Sequence, residues 1–313
     1  MVWDGERLGF GERPEPVTGE GEVVVRPILC GVCNTDLEIV RGYLGFRGVL
    51  GHELVGRIER GPAEWLGERV VAEINFACGS CPSCLGGRER HCPTRRVLGI
   101  AGADGAFAER VVLPTRNLHR VPEGVPDEAA VFAEPLAAAF EILEQVPIVP
   151  GTEALVLGDG KLGLLVAQVL GAAGARVQLV GKHPSHLALV ASRGIATALL
   201  AEWDRAPAEL VVEATGRAEG IALALAATRP RGTLMLKSTL AERVSLDLAP
   251  IVVHELTLVG SRCGPFEPAL AALASGSVEV RSLIAARLPL ARGVEALELA
   301  ARPGTLKVLL EVG

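Results

Sequence analysis

The chain has 313 residues, 49% hydrophobic and 22% charged, with 37 Gly and 20 Pro, which excludes a disordered or collagen-like polypeptide and allows about two domains. Aromatic residues are scarce, so the core is expected to be built from Ala, Leu and Val. A net charge of −6 with no Lys/Arg run speaks against a nucleic-acid or anionic-membrane partner.

The start, Met1-Val2-Trp3-Asp4, carries no basic and apolar leader pattern. The longest apolar stretch, Leu162 to Ala175, is broken by Gln168, so no membrane helix is predicted and a cytoplasmic chain is expected. Arg far outnumbers Lys, and Asn and Gln are few, which suits either a thermophile or a GC-rich genome.

Up to about residue 125 the chain alternates short β-type runs, such as Glu22–Arg26 and Arg69–Ala72, with closely spaced turn residues. That texture predicts a β-rich, barrel-like region. Within it, Cys33-Asn34-Thr35-Asp36 precedes Gly51-His52-Glu53, and Glu134 follows later in Ala133-Glu134-Pro135-Leu136. Cys, His and carboxylate are all zinc ligands, and three protein ligands leave a position open for substrate. By themselves these residues are a weak signal, since a lone Cys or His is more often an ordinary core residue.

Four further cysteines stand as Cys78-x2-Cys81-x2-Cys84-x7-Cys92. Gaps of two residues let neighbouring thiolates converge on one tetrahedral ion, and an intracellular chain seldom stores disulfides. A structural zinc is the first reading, with an iron–sulfur cluster as the alternative. Cys30 and Cys263 are expected to be plain buried thiols.

From about residue 128 helical Ala/Leu stretches alternate with short apolar strands at Ala154–Leu157, Val177–Val180, Leu210–Glu213, Leu234–Leu236 and Leu256–Val259. This alternation predicts a doubly wound parallel sheet. The first of these strands runs into Gly158-Asp159-Gly160-Lys161-Leu162-Gly163 and then a helix. G-x-G-x-x-G between strand and helix is the setting in which backbone N–H groups receive a pyrophosphate. The next strand ends in Gly181-Lys182-His183, and no acidic residue lies between Gly160 and Ala201. A small residue followed by two basic ones favours NADP(H) over NAD(H), since an NAD site places an acid there for the ribose hydroxyl. Lys237 either faces the nicotinamide or an anionic substrate, or is an exposed strand end. The chain closes with a predicted helix, Glu267–Ser275, and a strand-like Leu306–Leu310.

Taken in order, Cys-x-Thr-Asp, Gly-His-Glu, the four-cysteine lobe, Glu-Pro-Leu-Ala, the glycine loop and Glu213-Ala214-Thr215-Gly216 resemble the zinc-dependent medium-chain dehydrogenase/reductase superfamily of alcohol dehydrogenase type. The motifs lie nearest the polyol, threonine and glucose dehydrogenase branches. The resemblance implies an α/β chain with a GroES-like β-rich catalytic domain (1–135), a Rossmann domain with a doubly wound parallel sheet (136–264) and a C-terminal segment (265–313) returning to the first. It implies an active site in the cleft between the domains and assembly as a homodimer or homotetramer.

The implied activity is hydride transfer between a nicotinamide cofactor and an alcohol, polyol or sugar, or the reverse carbonyl reduction. Two zinc ions are implied per chain. One would be catalytic, on Cys33, His52 and Glu134, with Glu53 able to enter the shell; the other would be structural, on Cys78, Cys81, Cys84 and Cys92. Asp36 would orient His52, and Thr35 would hand on the substrate proton, ending at Glu38 where relatives often have His. The cofactor would lie on Gly158, Gly160, Lys161, Leu162, Gly163, Gly181, Lys182, His183, Thr215 and Gly216, with Asn75 and Lys237 as candidate substrate contacts. A non-catalytic NADPH-binding protein that keeps only the structural zinc is the alternative.

Overall fold

A computed structural model describes residues 1–240 and 243–313. The chain forms two units, Met1–Glu134 with Leu283–Gly313, and Pro135–Ser282. Among the described residues no helix is long and apolar enough to cross a membrane.

The first unit is built around a seven-stranded sheet. The Glu22–Gly31 strand pairs antiparallel with Glu53–Arg60 on one side and with Lys307–Glu311 on the other. Val23, Val24 and Val25 are wholly buried, as β-branched residues are in a strand covered on both faces. At its end Gly31 faces Glu53 and Leu309 across the two ladders. A Cβ on Gly31 would lie 2.0 Å from Glu53 Oε2, so the glycine makes the room this carboxylate occupies. The cysteine lobe is an excursion between the Asn75–Phe76 and Arg96–Leu98 strands, carrying the short Pro82–Leu85 helix. Gly79 and Gly87 have φ of +78° and +70°, values that favour glycine, and supply its turns.

The second unit is a six-stranded, all-parallel sheet. In space its strands run Ala196–Leu199, Arg176–Gly181, Glu153–Leu157, Ala208–Glu213, Thr228–Leu236 and Thr257–Gly260. Numbered along the chain this is 3-2-1-4-5-6, the order of a doubly wound dinucleotide-binding sheet. Leu155, Val156, Leu157, Val211 and Val212 are buried, as continuous apolar strands under two helical layers must be.

The Phe266–Ser275 helix groups with this unit, and the chain rejoins the first at Leu283. The sequence expectation placed that return at 265. The physical reason for the later crossing is a tether: Gln168 Oε1 accepts the Glu279 N–H at 2.8 Å and its Nε2 donates to the Glu279 carbonyl at 3.0 Å, while Phe266, Ala269 and Leu270 are buried.

Candidate active site

In the first unit, Cys33 precedes the Asn34–Val40 helix and caps it. The Cys33 N–H donates to Asp36 Oδ2 at 2.9 Å. This fixes a carboxylate three residues into the helix, where it also favours the positive end of the helix dipole. The other oxygen, Asp36 Oδ1, lies 3.3 Å from His52 Nδ1. Both atoms are buried, and neither is aligned for a hydrogen bond with any group. The Asp36 carboxylate thus faces Nδ1 of the imidazole at close range, the kind of backing a metal-binding histidine has.

Cys33, His52 and Glu53 bring donor atoms within 4.8 Å of one another. Glu53 Oε1 is buried without a partner. A thiol, an imidazole and a carboxylate gathered at this spacing, with orphaned polar atoms among them, fit a zinc ion. Burial pushes the His52 imidazole down, yet the Asp36 and then the Cys33 charge overcome it and hold it well above its ordinary range. Glu134, at the start of the Ala133–Gln145 helix, is half-buried and stands outside this donor triple. Thr35 Oγ1 is 3.7 Å from Cys33 Sγ. Glu38 lies on the outer side of the same helix, bonded to Arg41 at 2.7 Å. Asn75 is buried in its strand, and its carbonyl accepts from Asn117 Nδ2 at 2.9 Å.

Sequence reasoning missed a buried neighbour of this triple. Lys307 is fully buried, and its ammonium pairs with Glu53 Oε2 beneath the donor triple, 5.6 Å from the Phe132 ring centroid. Burial would lower its pKa, but Glu53 first and Cys33 next raise it above the usual lysine value. The signal was a lysine inside an otherwise apolar terminal strand, in a chain with few lysines.

The four lobe cysteines are free thiols. Their sulfurs stand 3.4 Å apart for Cys81–Cys84, and 3.9 Å for both Cys78–Cys84 and Cys81–Cys92. A tetrahedron with zinc–sulfur bonds of about 2.3 Å has edges of about 3.8 Å, whereas a disulfide needs about 2.05 Å. The set therefore fits a tetrathiolate metal site. Backbone N–H groups of Ser80 and Cys81 bring the Cys78 thiol down to about 5, and burial pushes the Cys84 thiol up to about 12. Cys30 is buried, and Cys263 is half-buried where a buried thiol was expected.

In the second unit the glycine loop runs from the Glu153–Leu157 strand into the Lys161–Ala172 helix. Gly158 has φ of +113°, and a Cβ there would lie 2.6 Å from the Ala214 carbonyl oxygen. A Cβ on Gly163 would lie 1.8 Å from the Gly158 carbonyl oxygen, so strand and helix touch there. Around Gly160 no protein atom lies within 4 Å of such a Cβ. These are the three roles expected of the motif: tight turn, open approach and close packing. Lys161 and Leu162 form the first helical turn. Thr215 and Gly216 are shaped by buried Glu213, whose Oε1 accepts the Thr215 N–H at 2.7 Å and hydroxyl at 2.6 Å.

Gly181, Lys182 and His183 close the adjacent strand and meet Asp159, a residue of the loop that the sequence reading passed over. Lys237 is buried. Its ammonium donates to the Ala138 carbonyl at 2.6 Å, Ser261 Oγ at 3.0 Å and the Arg262 carbonyl at 3.2 Å. It is neither an exposed strand end nor a mobile cation.

Comparison with known proteins agrees with this assembly. Residues 19–123 match the alcohol dehydrogenase GroES-like domain family, and residues 162–275 match the zinc-binding dehydrogenase family. The chain is 33% identical to an L-threonine 3-dehydrogenase of Streptomyces avermitilis, over 79% of this chain and 78% of that one. Among solved structures, a protein of Sinorhizobium meliloti described as a zinc-binding dehydrogenase and bound to NADP is 28% identical, with a TM-score of 0.86 over 95% of this chain and 93% of that one. The RspB alcohol dehydrogenase of Escherichia coli in complex with NADH is 26% identical, with a TM-score of 0.90 over 98% and 97%. With a GroES-like unit, a dinucleotide-type sheet and both cysteine-bearing motifs in one chain, this protein belongs to the zinc-type medium-chain dehydrogenase/reductase superfamily.

Proposed function

We propose that this chain is a zinc-dependent, NAD(P)-linked dehydrogenase that oxidises a secondary alcohol, polyol or sugar, or reduces the corresponding carbonyl. The observation that carries the reading is the donor triple of half-buried Cys33 with buried His52 and Glu53, with Asp36 behind the imidazole. Cys33 and His52 would hold the catalytic zinc, with Glu134 or Glu53 completing the shell directly or through water. The four lobe cysteines would hold a second, structural ion. A zinc on the first set supplies Lewis acidity, which favours the deprotonated form of a hydroxyl oxygen.

The protein's own groups do the rest. Asp36 keeps the His52 ring in one orientation. Thr35 Oγ1, 3.7 Å from Cys33 Sγ, would take the substrate proton and pass it on towards Glu38. Glu38, held by Arg41 at 2.7 Å, would stand at the outer end of that path. Gly160 leaves backbone open to the pyrophosphate, and the N-terminus of the following helix favours its charge.

Assembly as a dimer or tetramer is part of this reading. It is supported by the edge strand Thr257–Gly260 and by the exposed Val252 and Val253 of the helix that precedes it in the chain. Light scattering on the purified protein reads the copy number directly.

The test of function is zinc content of protein purified with zinc, for wild type and Cys33→Ala, together with reduction of NAD and NADP by a panel of alcohols and sugars. The reading expects about two zinc ions in the wild type, about one in the variant, and turnover in the wild type alone. A single zinc unchanged by the substitution, with no turnover, would reduce the chain to a dinucleotide-binding protein with one structural metal.

A further inference from the structure

The choice between the two nicotinamide dinucleotides turns on a residue inside the glycine loop, and this deepens and depends on the dehydrogenase reading. In dinucleotide-binding sheets an acid at the end of the second strand, about 20 residues after the loop, holds the ribose 2′-hydroxyl. Here that strand, Arg176–Gly181, ends in glycine.

The fold restores a carboxylate from elsewhere. A Cβ built on Gly181 would lie 2.3 Å from Cγ and 2.5 Å from Oδ2 of Asp159. Asp159 thus fills the volume that a side chain at position 181 would take, and the two exclude each other. The carboxylate is pinned: Oδ2 accepts the Lys182 N–H at 2.9 Å and the His183 N–H at 2.6 Å, with His183 Nδ1 at 3.1 Å. All three contacts fall on Oδ2, which leaves Oδ1 as an acceptor.

We propose that Asp159 is the specificity-determining residue for the dinucleotide, selecting the 2′-hydroxyl of NAD(H) and rejecting the 2′-phosphate of NADP(H). A ribose hydroxyl donates to a carboxylate oxygen, whereas a phosphate carries about two negative charges and has no proton to offer it. Asp159 is only 6% exposed, so water screens the repulsion poorly.

The nearby basic residues do not reverse this. The His183 imidazole is engaged with Asp159, and its ring centroid lies 4.6 Å from that of His186. His186 Nδ1 in turn contacts the Asp159 carbonyl at 2.9 Å. Lys182 is tied to the carboxylate through its backbone, and the residue is exposed to solvent. The NADP(H) expectation rested on the lack of an acid after Gly160, while the acid that matters precedes Gly160 by one residue.

Titration of the zinc-loaded full chain with NADH and NADPH, followed by fluorescence of the reduced nicotinamide, yields both dissociation constants without turnover. The wild type is expected to bind NADH at least about tenfold more tightly than NADPH. Asp159→Asn keeps an acceptor for the two backbone N–H groups and removes the charge. It is expected to shrink the NADH:NADPH affinity ratio by about tenfold. His183→Ala keeps the carboxylate and is expected to retain or widen the NADH preference. Tighter or equal NADPH binding by the wild type, an unchanged ratio in a folded Asp159→Asn, or a lost preference in His183→Ala would each overturn the assignment and leave the dehydrogenase reading standing. Binding of neither dinucleotide would overturn both.

Discussion

The ammonium of Lys307 and the carboxylate of Glu53 form an ion pair with almost no solvent access, directly behind a proposed zinc-ligand set. The lysine comes from the Lys307–Glu311 strand and the glutamate from Glu53–Arg60, with the Glu22–Gly31 strand hydrogen-bonded between them. The second half of the Glu53 head, Oε1, has no partner. The lysine holds one carboxylate oxygen away and leaves the other available.

Removing the lysine alone leaves a buried carboxylate uncompensated. Lys307→Met is expected to destabilise the first unit by about 3–5 kcal/mol, because an unpaired buried charge costs far more than the pair contributes. The double variant Lys307→Met, Glu53→Gln should recover much of that loss. Denaturant unfolding of the four proteins of the cycle checks both statements, and additive losses would contradict them.

The cysteine lobe and the donor triple should lose metal independently. Cys92→Ala is expected to take zinc from about two ions per chain to about one and to lower the melting temperature, since a structural zinc contributes folding energy. Cys33→Ala should also leave about one ion, with a smaller change in melting. Metal analysis beside thermal unfolding distinguishes the two. Loss of both ions in either variant would show that the sites are coupled.

Two glycines of the loop are expected to respond oppositely to alanine. Gly163→Ala would press a methyl into the Gly158 carbonyl, 1.8 Å away, and should unfold or strongly destabilise the second unit. Gly160 has φ of −77° and no protein atom within 4 Å of a built Cβ. Gly160→Ala should therefore keep or raise stability by about 0.4–1 kcal/mol. The same methyl would stand in the pyrophosphate approach and should weaken NADH binding by about tenfold or more. Thermal melts and a fluorescence titration test the pair.

Lys237 separates a structural from a substrate-facing role. Lys237→Met would leave the Ala138 and Arg262 carbonyls without this donor and is expected to cost about 1–3 kcal/mol of stability. Turnover per folded molecule should stay close to that of the wild type. A large fall in kcat with unchanged stability would place the ammonium at the substrate instead.

Much of this molecule is written in local patterns. The x2-x2-x7 cysteine spacing, the strand–Gly158-Asp159-Gly160–helix passage and the alternating apolar strands are each set by residues close in sequence. Their geometry follows from short chain segments, so they are legible before any fold is known. Cys33 with Asp36 is equally local, being one helix cap. The pairing of Lys307 with Glu53 and the entry of Asp159 into the space of residue 181 are different in kind. Each joins residues remote along the chain, brought together by strand order and register. Composition and spacing state which charges exist. Only the packed sheets decide which of them meet, because a buried charge settles on whatever partner the strand register brings within reach, however distant that partner is in the sequence.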